Sequence, residues 1–117
     1  MSLGRVFLFA LLLWLPQAQA VAAALSVVAR AELPVEARET LRYIRQGGPF
    51  SYARDGVEFH NYELQLPRQP RGYYYEYTVR TPGVKSRGAR RIVCGPLPEC
   101  YYTADHYRHF KLIQESE

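Results

Sequence analysis

The sequence predicts an α+β domain, with one N-terminal helix packed on a twisted antiparallel sheet. Three observations lead there. Only one stretch of the chain outside its first residues repeats apolar residues at helical spacing, and it lies early, at Ala37, Leu41 and Ile44. After Gly47 the chain breaks into short β-forming runs set off by Pro49, Asp55-Gly56, Pro67, Pro70, Gly72, Pro82-Gly83 and Gly95-Pro96. A helix followed by strands, rather than alternating with them, places the helix on one face of an antiparallel sheet.

Residues 1–20 read as a signal peptide and stand outside the fold. Arg5 supplies a positive start, Val6–Leu15 is an apolar run, and Pro16 breaks it. Ala18-Gln19-Ala20 has the small-residue spacing of a cleavage site. The apolar run is too short to span a bilayer comfortably, so export is expected over a retained anchor. Residues 21–31, rich in Ala and Val, read as an N-terminal arm, and 32–117 as one small domain. No repeat or low-complexity tract occurs.

Leu33–Gln46 reads as the helix. Pro34 suits its first turn and Gly47-Gly48 its stop. Glu36 and Glu39 lie early and Arg42 and Arg45 late, which complements the helix dipole. The strand-like runs are Val57–Asn61, Tyr73–Arg80, Arg90–Cys94 and Arg108–Ile113. Alternation in the second puts Tyr73, Tyr75, Tyr77 and Val79 on one face. Tyr74, Glu76, Thr78 and Arg80 share the other, which reads as the polar face.

Cleavage after Ala20 would leave 97 of the 117 residues and lower the net charge from +4 to +3, because Arg5 is lost. The distribution is more informative than the total. Residues 68–91 hold seven Lys and Arg against Glu76 alone, so this stretch carries +6 and the rest of the mature chain −3. That asymmetry fits a polyanionic partner, with a solvated basic loop as the plain alternative. Cys94 and Cys100 flank the turn-like Gly95-Pro96-Leu97-Pro98-Glu99, and in an exported protein they are candidates for a disulfide. No further Cys and no suitably spaced His pair completes a metal site, so no metal or other cofactor is expected.

Four residues in three neighbouring segments carry candidate chemistry: Glu76, Arg87, Arg91 and His106. A carboxylate can take a proton and a histidine can give one near neutral pH. Two guanidiniums can hold a phosphate through paired hydrogen bonds. The set is sufficient for metal-free cleavage of RNA. Taken singly, each residue has a bland reading as surface charge, and His60 and His109 warn against choosing a histidine by type alone.

Order and spacing decide between these readings. From about Leu33 to Ile113 the chain resembles the secreted microbial guanyl-specific ribonucleases, the barnase-like group, and within it the branch typified by ribonuclease Sa. The resemblance rests on Gly48-Pro49-Phe50, Asp55-Gly56-Val57, Gly72-Tyr73-Tyr74, Glu76-Tyr77-Thr78-Val79 and Thr81-Pro82-Gly83. It continues through Arg87-Gly88, Arg90-Arg91-Ile92-Val93-Cys94-Gly95, Tyr101-Tyr102-Thr103 and Asp105-His106-Tyr107. It implies that Glu76 is the general base for the ribose 2′-OH and His106 the general acid for the leaving 5′-oxygen. Arg87 and Arg91 would stabilise phosphoryl charge, with Tyr107 beside the phosphate. It implies a 2′,3′-cyclic phosphate product, no cofactor, and no action on DNA, which lacks the nucleophile.

Base recognition maps by the same resemblance to Phe59-His60-Asn61-Tyr62-Glu63, with Glu63 accepting from guanine N1–H and its amine. His60 and Tyr62 depart from the bacterial pattern of Gln and Arg. Asn61-Tyr62-Glu63 instead resembles the fungal branch, where the tyrosine stacks on guanine. The implied substrate is single-stranded RNA cut 3′ to guanosine. The implied setting is an exported monomer, in the medium or periplasm, with no stable membrane association and a possible barstar-like protein inhibitor. The competing reading is a non-catalytic RNA-binding module on the same basic, aromatic surface. Cys94 matches a family cysteine position and Cys100 does not.

Overall fold

Pro34 has the fixed φ that suits entry to a helix, and α1 follows it over Val35–Gln46. Gly47 then adopts φ 84°, and the N–H groups of Gly47 and Gly48 return to the carbonyls of Ile44 and Tyr43. This left-handed reversal closes the last turn. Ala37 and Leu41 are fully buried and Ile44 packs beside them, as the helical spacing predicts. Burial of one such leucine contributes about 1.5–3 kcal/mol. The computed structural model describes residues 25–115. The signal-peptide reading of residues 1–20 lies outside them.

The sheet has six strands: β1 Ser26–Ala29, β2 Val57–Phe59, β3 Tyr74–Thr78, β4 Arg91–Cys94, β5 Cys100–Thr103 and β6 Lys111–Gln114. Their spatial order is β1-β6-β5-β4-β3-β2. All neighbours are antiparallel except β1, which lies parallel to β6. The α+β expectation therefore holds, with one parallel edge added. A short 3-10 turn, Arg30–Glu32, links β1 to the helix. Beyond β6, Arg45 forms an ion pair with Glu115 and ties the end of α1 to the end of the sheet.

Two strands depart from the sequence reading. Residues 26–29, read as part of a loose arm, form β1. Its hydrogen-bond partner is β6, more than eighty residues away in the chain, and local patterning carries no sign of that pairing. β5 falls outside the predicted runs because all four of its residues are buried, so it has no polar alternation to detect.

The faces of β3 also differ from expectation. Leu33, Ala37 and Leu41 form the first core with Val79, Ile92, Cys94, Cys100, Tyr102 and Ile113. A second core lies across the sheet: Leu66, Tyr74, Val93, Tyr101 and Phe110. Tyr74, Glu76 and Thr78 are buried there, whereas Tyr75 is exposed. The face that reads as polar is thus covered, by the segments after β2 and before β6. Cys94 and Cys100 are cross-strand partners and are joined by a disulfide, with Cα atoms 4.1 Å apart.

Candidate functional site

The second face of the sheet opens into a cavity of about 820 Å3. Glu76, Arg87, His106 and Tyr107 line it, together with Phe59, His60, Asn61, Tyr62 and Glu63. Arg91 is buried beneath it. The sheet register explains the gathering: Glu76 on β3 lies opposite Val93, Thr78 opposite Arg91, and Arg91 opposite Thr103. Three adjacent strands thus present the carboxylate, the guanidinium and the threonine that anchors the histidine loop.

Glu76 is only 6% exposed, unlike an ordinary strand glutamate. A carboxylate in that position must be compensated. Tyr107 donates its hydroxyl hydrogen bond to Glu76 Oε1. The same hydroxyl accepts from Arg91 Nε at 3.1 Å. The Tyr107 phenol is pushed up by burial first and by the Glu76 carboxylate second. It therefore stays protonated as the link between a buried cation and a buried anion.

Arg91 also donates to the carbonyls of Gly88 and Arg90, at 3.1 and 2.7 Å. Arg87 donates from Nε to Thr78 Oγ1 at 3.0 Å. Its Nη2 is buried and has no protein acceptor. A buried guanidinium nitrogen of this kind is a donor without an acceptor in the protein. Gly88 makes the turn between these arginines possible. Its φ is 68°, and a Cβ there would lie 2.6 Å from Thr81 Oγ1.

His106 and Tyr107 are consecutive residues with positive φ, 57° and 72°. Non-glycine residues adopt that region at a cost and need external support. Thr103 Oγ1 accepts from Tyr107 N–H at 3.1 Å, and His106 N–H donates to Ala89 O at 2.8 Å. The His106 ring meets the Tyr107 ring edge-on at 4.7 Å. Asp105 braces the loop by accepting from His109. The His109 hydrogen bond lowers the Asp105 carboxyl to about 2.

On the opposite wall, Asn61 has φ 57° and is buried. Its side chain donates to Leu66 O and accepts from Leu66 N–H, at 3.0 and 3.1 Å. The amide is therefore used in shaping the loop, and the Asn61 carbonyl accepts from Leu64 N–H at 3.0 Å, so it is the backbone N–H of Asn61 that remains for a ligand. Phe59 stacks on Tyr107 at 5.5 Å and meets Phe110 edge-on. Tyr62 is 83% exposed and stacks on His60, with ring centres 5.0 Å apart. Glu63 accepts from Gln65 at 3.3 Å and is otherwise open.

Sequence reasoning missed Thr78, which orients Arg87, and Thr103, which supports the two strained residues. It also missed Arg54, Glu58 and Arg108 in the cavity wall. A Thr-x-Asp pattern at 103–105 is a local signal for such side-chain bracing. The arginines carry none. Among the described residues, no group of three or more His, Cys, Asp or Glu side chains could hold a metal ion.

Residues 16–114 match the ribonuclease family model. The chain belongs to the ribonuclease family. It is 54% identical over 85 residues to guanyl-specific ribonuclease Sa of Kitasatospora aureofaciens, covering 72% of this chain and 88% of that one. Guanyl-specific ribonuclease St of Saccharopolyspora erythraea is 51% identical over 82 residues, or 70% of this chain and 81% of that one. The crystal structure of ribonuclease Sa2 with guanosine-2′-cyclophosphate superposes with a TM-score of 0.77 at 47% identity. It covers 80% of this ribonuclease and 100% of that chain. The family resemblance seen in the sequence is therefore correct.

Proposed function

We propose that this chain is an exported endoribonuclease that cleaves single-stranded RNA 3′ to guanosine. One observation carries the reading: the acid–base pair, Arg87 and the 59–63 loop line a single cavity. Similarity to guanyl-specific relatives supports the base preference. Glu63 and the loop backbone take the guanine edge, and the exposed Tyr62 ring supplies a face for stacking.

The chemistry runs in two balanced steps. Glu76 removes the 2′-OH proton, the 2′-oxygen bonds to phosphorus, and the P–O5′ bond breaks. His106 gives its proton to the departing 5′-oxygen, leaving a 2′,3′-cyclic phosphate. A water molecule then attacks phosphorus and the P–O2′ bond breaks, leaving a 3′-phosphate. His106 takes the water proton and Glu76 returns one to the 2′-oxygen. Arg87 Nη2 and the Arg91 guanidinium hold the charge that develops on the phosphoryl oxygens.

The Cys94–Cys100 disulfide fits an oxidising compartment, in accord with removal of residues 1–20 during export to the medium or periplasm. No helix among the described residues is long and apolar enough to cross a membrane. The basic stretch 68–91, with seven Lys and Arg against Glu76 alone, suits an acidic inhibitor of the barstar type, and the chain acts as a monomer. The deciding experiment measures cleavage of GpU and ApU by the mature protein in EDTA. GpU is cleaved far faster. Equal rates would remove the guanine assignment, and tight RNA binding without product would favour a non-catalytic module.

A further inference from the structure

A second hollow of about 290 Å3 adjoins the first. The two share Glu58, Phe59, His60, Asn61 and Tyr62, and the second contains none of Glu76, Arg87 or His106. The stacked His60–Tyr62 pair is thus a ridge with the reacting groups on one side only. Across the ridge lie Arg68 and Arg71, both exposed. Neither makes a hydrogen bond or an ion pair within the described residues. The one carboxylate in this hollow, Glu58, is engaged: it accepts from Gly72 N–H at 2.7 Å and lies 3.6 Å from His60 Nδ1.

We infer that this hollow is a subsite for the RNA strand on the 5′ side of the recognised guanosine. The inference rests on the ribonuclease reading and extends it. A guanosine bound by the 59–63 loop directs its 3′-phosphate to Glu76, Arg87 and His106. Its 5′ side leaves in the opposite direction, over the ridge. There His60, stacked behind the Tyr62 ring that takes the guanine, offers an aromatic surface to the next base, and two unpaired guanidiniums face the upstream phosphates. Base stacking with flanking positive charge is the ordinary means of holding a single strand without reading its sequence.

The test compares GpU, UpUpGpU and GpUpU as substrates for wild type and for the double variant Arg68→Ala/Arg71→Ala. Wild type should prefer UpUpGpU to GpU by about 10-fold in kcat/KM at low salt, since two further phosphates are engaged. The double variant should lose most of that preference while its rates on GpU and GpUpU stay within about twofold of wild type. Its salt dependence on UpUpGpU should flatten by about 1.4 log units per log unit of salt, at about 0.7 per phosphate contact on a single strand. Arg68→Lys/Arg71→Lys should retain the preference. Absence of any length preference in wild type, or an equal loss on all three substrates, would overturn the subsite while leaving the ribonuclease reading intact. Failure of wild type to cleave GpU would instead remove that reading.

Discussion

Replacing Glu76 by Gln separates the chemical role of this side chain from its structural one. Glutamine has the same shape and retains an oxygen to accept from Tyr107, so the Arg91–Tyr107–residue 76 chain stays closed. What disappears is the capacity to take a proton. General-base catalysis is worth roughly 10²–10⁴-fold, or about 2.7–5.4 kcal/mol of barrier at 1.36 kcal/mol per tenfold. The effect on folding should be smaller. The Tyr107 hydrogen bond falls from the charged range of about 1.5–3 kcal/mol to the neutral range of about 0.5–1.5. The cost of burying the carboxylate charge is relieved, but Arg91, 2% exposed, keeps its charge without that anion. The net effect should be a loss of about 1–2 kcal/mol, since the chain of hydrogen bonds stays closed. The assay pairs kcat/KM on GpU with urea unfolding of the same sample. Activity within tenfold of wild type would refute the assignment. A loss of activity accompanied by destabilisation above about 3 kcal/mol would place Glu76 in the architecture instead.

Arg87→Ala should lower kcat/KM on GpU about 10²–10³-fold and cost no more than about 1.5–3 kcal/mol of stability, because Nη2 has no protein partner and only the Nε–Thr78 hydrogen bond is lost. Tyr62→Ala should raise KM for GpU by about 5- to 150-fold, equivalent to about 1–3 kcal/mol of stacking, and leave stability unchanged, since the ring is 83% exposed. Asp105→Asn should be less stable than wild type at pH 5. The Asp105 carboxyl is lowered from 3.8 to about 2 in the folded protein, so its contribution is complete above 3.8 and is lost as pH falls towards 2. The two urea midpoints should therefore draw together as pH falls from 3.8 through 2, and a pH-independent gap would contradict this. Cys94→Ala/Cys100→Ala should cost about 2 kcal/mol by the loop-entropy relation for so short a ring, read from urea unfolding.

Much of the helix was legible because its signals are local: a proline at entry, paired glycines at exit, and three apolar residues at one spacing. The strands were less so. β5 has no alternation, and β1 exists only because β6 is beside it. The hidden side of β3 was misjudged for a related reason. Glu76 and Thr78 look polar in the chain, yet segments distant in sequence cover them. The chemistry-bearing residues that line the cavity were recognisable by order and type, while their supports were not. Thr78 and Thr103 matter only because the sheet register sets them against Arg91 on β4. Asn61 shows the converse, since its type invites a ligand and its amide is already spent on Leu66.

The bond from Tyr107 reaches one oxygen of Glu76 and leaves the other alone. That makes the carboxylate asymmetric before any substrate arrives. Oε1 is tethered, which fixes the plane of the group, and in the proposed mechanism Oε2 is the oxygen left to meet the ribose. A proton acquired at Oε2 can be handed back in the second step without disturbing the tether. As the proposed base, Glu76 is thus held by one oxygen and works with the other, and Tyr107 decides which is which.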